Sequence, residues 1–202
     1  MKKYIIGIGT GRCGSKTLTQ LLNDCSNCNF RHEWVIREKK TFRRIYANRG
    51  KKLLTWNFNL EKAQERLKEL KELKGKIVGD IGYFYLNYID YFMNNLSNLK
   101  IIHLERDKKA HLKSQMKVGL GLRIEHKHKA LPVFPYAKTI EDSINKYWEL
   151  YKREVAILKC KYPGKILTIK TENLSKNHIQ KIIFDFIEIP KQNRIYQSIR
   201  RV

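Results

Sequence analysis

Cysteine, proline, acidic side chains and long apolar runs are all scarce in this sequence. The four cysteines, Cys13, Cys25, Cys28 and Cys160, are too few and too scattered for a disulfide framework. Cys25 and Cys28 form a lone CxxC, and no second CxxC or HxxxH follows to complete a zinc site. Two free thiols near a helix end are expected, and no metal centre. No stretch approaches the roughly 18 consecutive apolar residues that mark a membrane-spanning helix. Only Met1-Lys2-Lys3 precedes the first apolar segment, which glycines interrupt, unlike a signal peptide with its longer apolar region and small-residue cleavage site. A cytoplasmic protein is the expectation. With 4 prolines, no Gly/Ser-rich linker and no internal repeat in 202 residues, the chain reads as a single domain over 1–202, large enough to bury a core.

Acidic residues are the most informative shortage. Asp and Glu number 19 against 42 Lys and Arg, a net charge of +23. Such a field attracts anions and speeds their capture. Nucleic acid, acidic glycans, anionic lipid and phosphorylated nucleotides all qualify, and charge alone does not choose between them.

What is present alternates. Apolar strands are expected at KYIIGI, FRHEWVI, KIVGDIG, LKIIHLERD and KILTIK. Helices are expected from about Ser15 to Asn23, over LEKAQERLKELKELKGK up to Gly75, over LNYIDYFMNNL and KKAHLKSQMKVGL, over IEDSINKYWELYKREVAILKCKY up to Pro163-Gly164, and over SKNHIQKIIFDFI. Continuously apolar strands separated by helices predict an α/β fold: a P-loop-like domain whose central parallel sheet of about five strands carries helices on both faces. Ligands of such sheets sit at the carboxyl ends of the strands.

Residues 5–18, IIGIGTGRCGSKTL, run from a strand through a glycine loop into a helix. Glycines let the backbone approach an anion, and the loop and helix N–H groups point at it. Arg12, Ser15, Lys16 and Thr17 add side-chain donors. The spacing is nearly that of a P-loop, but Ser15 stands where the P-loop Lys belongs and Lys16 comes one residue late. A second feature lies in KIIHLERDKKAHLKS, where Arg106 ends a strand and Ser114 lies inside the next helix. With the helix starting near Lys108, Ser114 lies about 9 Å along its axis, at about 1.5 Å per residue, a gap that a long Arg side chain can largely cover.

Together these segments resemble the sulfotransferase family. GTGRCGSKTL is similar to its phosphosulfate-binding loop, commonly R/K-S-G-T/S-T. IIHLERDKKAHLKS is similar to its 3′-phosphate motif, an apolar strand ending in Arg-Asp with a Ser eight residues after the Arg. ILTIKTENLSKN looks like a third landmark, a strand running into Tyr-Glu-Asp-Leu. The resemblance implies 3′-phosphoadenosine 5′-phosphosulfate (PAPS) as donor, no required metal, and transfer of a sulfuryl group to a hydroxyl or amine. It implies that Gly11, Arg12, Cys13, Gly14, Ser15, Lys16 and Thr17 hold the 5′ end and that Arg106 and Ser114 grip the 3′-phosphate. Arg12 or Lys16 would stabilise charge on the departing nucleotide. There are departures: Cys13 where Ser is common, Lys16 for Thr or a small residue, Lys108 for Pro, and Thr171 and Asn173 where Tyr and Asp are usual. No counterpart of the C-terminal Arg-Lys-Gly loop is evident, although Arg200 and Arg201 are possible substitutes.

The acceptor needs a general base. His32 and Glu33 end the second expected strand, so Glu33 is the first candidate and His32 the second. His103 reads as a core histidine, and Asp80 either orients the acceptor or closes a turn. His126 and His128 lie in a cationic loop, 123–129, that reads as an acceptor-binding lid or a solvated charge run. The acceptor itself is open; the basic surface favours an anionic small molecule or a glycan. Two other readings compete. A P-loop kinase for a small molecule or nucleotide would use Lys16-Thr17, with Asp80 holding magnesium. A nucleic-acid module would stack bases on Tyr83, Phe84 and Tyr85, a segment that reads more simply as a helix entrance packed on the core.

Overall fold

The computed structural model describes residues 1–33, 54–117, 132 and 134–198. The expectations for Trp34 to Ile36, the loop 123–129 and Arg200/Arg201 lie outside them. Five strands, β1 (Lys3–Gly9), β2 (Cys28–His32), β3 (Ile77–Ile81), β4 (Leu99–Glu105) and β5 (Ile166–Lys170), form one parallel sheet in the order β2-β3-β1-β4-β5. The helices are α1 (Ser15–Asp24), α2 (Leu60–Glu72), α3 (Ile89–Asn95), α4 (Lys108–Lys117), α5 (Ile140–Lys161) and α6 (Asn177–Phe186). The expected P-loop-like α/β architecture is therefore the observed one.

Strand side chains alternate between faces, and the alternation divides the core. On one face Ile6, Ile8, Val78 and Ile101 pack against Leu67 and Leu70 of α2, Phe92 of α3 and Tyr151 and Val155 of α5. On the other, Ile5, Ile81, Ile102, Leu104 and Ile169 pack against Leu18, Leu21 and Leu22 of α1 and Ile183 and Phe184 of α6. The centre of the sheet is tight: a Cβ on Gly79 would stand 1.9 Å from the Ile5 carbonyl oxygen, so no other residue fits there without moving a strand.

The helix boundaries have local causes. Thr139 caps α5 by accepting from the Asp142 N–H at 3.0 Å, with Glu141 and Asp142 in the first turn and Lys159 and Lys161 in the last, each charge matched to the helix dipole. Asn59 caps α2 in the same way, accepting from Lys62 N–H at 2.9 Å. The expected single helix over LNYIDYFMNNL is instead a 3₁₀ segment, Tyr83–Tyr88, leading into α3. Three residues per turn place Tyr85 and Tyr88 on one side, and both are fully buried.

The chain reverses its direction of travel across the sheet between β1 and β4. From β1 it goes outward to β2, returns through β3, and crosses to β4 and β5. The carboxyl ends of β1 and β4 therefore flank the switch point where such folds bind ligands.

Candidate active site

The loop after β1 fills that switch point. Gly11 (φ 77°), Arg12 (φ 56°) and Gly14 (φ 80°) all adopt left-handed backbone, which curls residues 9–14 back on themselves before α1 starts at Ser15. Gly14 also abuts Thr171, whose methyl would lie 3.0 Å from an added Cβ.

Donors from outside the loop hold its carbonyls. Gln115 Nε2 donates to the Thr10 and Gly11 oxygens at 3.2 and 3.4 Å. An Arg106 guanidinium N–H donates to the Arg12 oxygen at 2.6 Å, and Thr171 Oγ1 donates to the Cys13 oxygen at 2.8 Å. The N–H of Gly9, just before the turn, donates to the Tyr151 hydroxyl at 2.8 Å. In a planar trans peptide the C=O and the next N–H point opposite ways, so holding the Gly11 and Cys13 carbonyls from outside turns the Arg12 and Gly14 N–H groups the other way, while the Gly11 and Cys13 N–H groups face the Cys13 thiol. The first turn of α1 adds N–H groups that have no intrahelical acceptor. Cys13 Sγ lies near the N–H groups of Gly11 and Cys13, and burial pushes the thiol up to about 11. It is neutral at physiological pH and does not repel an anion. Its side chain belongs to the core, so Cys13 can serve a ligand only through its backbone.

The three sequence landmarks meet here. Arg106 of the second reaches Arg12 of the first. Glu172 of the third accepts from the Asp107 N–H at 3.2 Å, and Thr171 holds Cys13. Asp107 itself caps α4, accepting from the Ala110 N–H at 2.9 Å, which gives the Arg-Asp pair a physical reason: one residue reaches the loop and the next starts the helix. Trp148 Nε1–H donates to the Arg106 oxygen at 3.1 Å. The Arg106 Nε is buried without a hydrogen-bond partner among the described residues, a donor of the kind a phosphate oxygen would satisfy. Ser114 is half-buried on α4.

On the other side of the loop, Ser15 Oγ lies 2.9 Å from His32 Nε2, and Glu33 Oε1 is 3.9 Å from the same nitrogen. This is no nucleophile triad, in which the hydroxyl and the carboxylate occupy opposite ring nitrogens. His32 instead links the glycine loop to the end of β2, with Glu33 directly beyond it. Glu33 has φ 52°, a conformation that costs a non-glycine residue roughly 1–2 kcal/mol. Its side chain is 12% exposed. Arg12 and Lys16 are exposed and Thr17 half-buried at the start of α1.

Asp80 points elsewhere. It is fully buried, accepts from the Tyr85 hydroxyl at 2.6 Å and lies 4.0 Å from the Arg66 guanidinium. His103 is the expected core histidine: its Nδ1 is 3.1 Å from Thr168 Oγ1, its ring stacks on Tyr151, and burial lowers it to about 3. Phe84 and Tyr85 are buried in the core, and the half-buried Tyr83 packs edge-on against Phe84, so the three form no common stacking surface.

A sulfotransferase domain model matches residues 2–201. The chain belongs to the sulfotransferase family. No curated protein is significantly similar to it in sequence. Among solved structures, a sulfotransferase from Alicyclobacillus acidocaldarius superposes with TM-score 0.62 at 13% identity, covering 100% of this chain and 86% of that one. A mouse sulfotransferase complexed with PAP gives 0.50 at 14% identity, over 94% and 60% of the two chains. A sugar kinase from Janibacter sp. also gives 0.50, at 11% identity over 96% and 99%. At these identities the likeness is one of fold, which both chemistries share.

Sequence reasoning assigned no role to Thr10, His111, Gln115, Trp148 or Tyr151 in this sulfotransferase, and it noted Thr171 only as a departure from Tyr. One signal was present. His111, Ser114 and Gln115 are spaced i, i+3, i+4 and so share a helix face. No helix among the described residues is long and apolar enough to cross a membrane.

Proposed function

We propose that this sulfotransferase moves a sulfuryl group from 3′-phosphoadenosine 5′-phosphosulfate to a hydroxyl or amine of a small-molecule or glycan acceptor, favouring an anionic one. The observation that carries this reading is the 2.6 Å contact between Arg106 and the Arg12 carbonyl. It brings the Arg of the Arg…Ser pair to the glycine loop, so one nucleotide can engage both ends. Arg106, through its unpartnered Nε, and Ser114 hold the 3′-phosphate, which carries roughly −1.5 to −2 charges. Backbone N–H groups of Arg12, Gly14, Ser15, Lys16 and Thr17, with the Ser15 and Thr17 hydroxyls, hold the 5′ end. Bound there, the donor supplies the activated sulfuryl group. Arg12 and Lys16 stabilise negative charge on the departing oxygen. Glu33 accepts the acceptor's proton, and His32, through Ser15, keeps the loop in register with it. The net charge of +23 draws in the nucleotide and an anionic acceptor alike.

The kinase reading fits less well. Its magnesium-holding carboxylate would be Asp80, which is committed to Tyr85 and faces Arg66.

Calorimetric titration with adenosine 3′,5′-bisphosphate, ADP and ATP, each with and without Mg²⁺, tests the donor assignment. Tight binding of the bisphosphate regardless of Mg²⁺ is expected; a preference for ATP with Mg²⁺ overturns it. Once an acceptor is found, Glu33→Gln should cut kcat by about 10²–10⁴-fold, the usual worth of a general base, with bisphosphate affinity unchanged. Unaltered turnover would remove Glu33 from the base position.

A further inference from the structure

The face of α4 that carries Ser114 also backs the anion loop. Among the described residues nine polar or charged side chains are buried, and Thr10, His111, Gln115 and Thr171 are four of them, so polar burial is concentrated around this loop. His111 is 0% exposed and Gln115 is 4% exposed. His111 Nδ1 lies 3.1 Å from Thr10 Oγ1, and Gln115 Nε2 bridges the Thr10 and Gly11 oxygens.

Burying these groups is costly. An amide taken from water loses about 1–3 kcal/mol unless its bonds are replaced, and here they are replaced only in part: Gln115 Oε1 and His111 Nε2 are buried without hydrogen-bond partners among the described residues. A Leu or Met would fill a helix–loop contact with no such cost. What an apolar residue cannot do is hold two successive carbonyls away from the cradle. An Arg or Lys could, but its charge would compete for the anion. A neutral amide donor meets both requirements. Burial, and secondarily Arg106, keeps His111 neutral as well.

We propose that Gln115, with His111 behind Thr10, is a positioning residue: it holds the Thr10 and Gly11 carbonyls so that the N–H of the Gly11 peptide, carried by Arg12, faces the 5′-phosphate end of the nucleotide. This rests on the nucleotide reading given above. Gln115 touches no substrate in this role. Its effect should follow the 5′ end of the ligand more than the 3′ end, since Gln115 donates to the Thr10 and Gly11 carbonyls and Arg106 to the Arg12 carbonyl.

The test is calorimetric titration of the wild-type chain and Gln115→Met, a variant of similar length without the donor. The ligands are adenosine 3′,5′-bisphosphate, adenosine 5′-monophosphate and adenosine 3′-monophosphate, with thermal unfolding measured alongside. Loss of one net hydrogen bond predicts about five- to tenfold weaker binding of the two ligands that carry a 5′-phosphate. The 3′-monophosphate should be weakened less. If Gln115→Met does not fold, Gln115→Asn keeps a buried amide but shortens its reach by one methylene, and carries the same expectation. Should the wild type bind the bisphosphate while the variant weakens all three ligands equally, or none, the positioning role is overturned and the nucleotide reading stands. A wild type that binds none of the three overturns the nucleotide reading, and the positioning role falls with it.

Discussion

Two groups of buried polar side chains flank β1, and they are built on different principles. Under β3, Asp80, Tyr85 and Arg66 meet side chain to side chain, and Arg31, paired with Asp80 in the register of β2 and β3, sits beside them. Charges face charges, and Glu69 Oε2 stands 3.3 Å from Arg66 as well. Beside the loop, Thr10, Gln115 and Thr171 are neutral, and Gln115 and Thr171 spend their donors on main-chain carbonyls of another element. The first arrangement fixes one element against another. The second fixes the course of a loop. Burial of a polar group is therefore no mark of a functional site in itself; the kind of partner it holds tells the two apart.

The largest effect should come from the charged group. Asp80→Ala removes the fully buried carboxylate that Tyr85 and Arg66 face, although Arg66 keeps Glu69 Oε2 at 3.3 Å, and removing one partner of a buried ion pair typically costs about 3–5 kcal/mol. Denaturant unfolding measures this directly. A cost under about 1 kcal/mol would mean that Asp80 does not hold the fold, and the contrast would lose one side.

Acid should act on the neutral histidines. Burial lowers His111 from 6.5 to about 4 and His103 from 6.5 to about 3. Below pH 6.5 the unfolded chain takes up protons that these folded-state rings refuse. Their contribution to stability is complete above pH 6.5 and is lost progressively as pH falls toward 4 for His111 and toward 3 for His103. Melting temperatures between pH 7 and pH 4 should fall, and His111→Gln should flatten the curve. An unchanged slope in that variant would show that His111 is not held neutral.

Thr171→Val should have the smallest effect. It removes the donor to the Cys13 carbonyl but keeps the shape, for a loss of about 1 kcal/mol. Nucleotide affinity should fall along with stability if the loop is shaped from outside. If only stability falls, Thr171 belongs with the structural group.

Much of the fold was legible in the sequence because the strands are apolar runs and glycine or proline ends several helices. Sheet order was not, since nothing local in β1 states that β3 and β4 flank it. In the candidate site, the glycine loop and the Arg106–Ser114 pair could be read from spacing. Asp80 could be seen but not interpreted, because its role depends on Tyr85 and Arg66, which only the folded chain brings to it. Thr171 stood out as a substitution for Tyr, yet its hydroxyl acts on Cys13, 158 residues away in sequence. Contacts from side chain to distant main chain leave no periodicity, and sequence patterns do not reveal them.

Arg12 and Glu33 are two of the four non-glycine residues with positive φ among those described, and both stand at the carboxyl edge of the sheet. Glycine at either place would relieve roughly 1–2 kcal/mol of backbone strain, set against a smaller entropic loss in the unfolded chain. Selection for heat resistance alone would thus drift toward glycine at both positions. It would reach a sturdier protein by deleting the guanidinium and the carboxylate assigned here to charge stabilisation and proton transfer. Melting temperature and turnover should be optimised together in this chain, and positions 12 and 33 left out of any stabilising library.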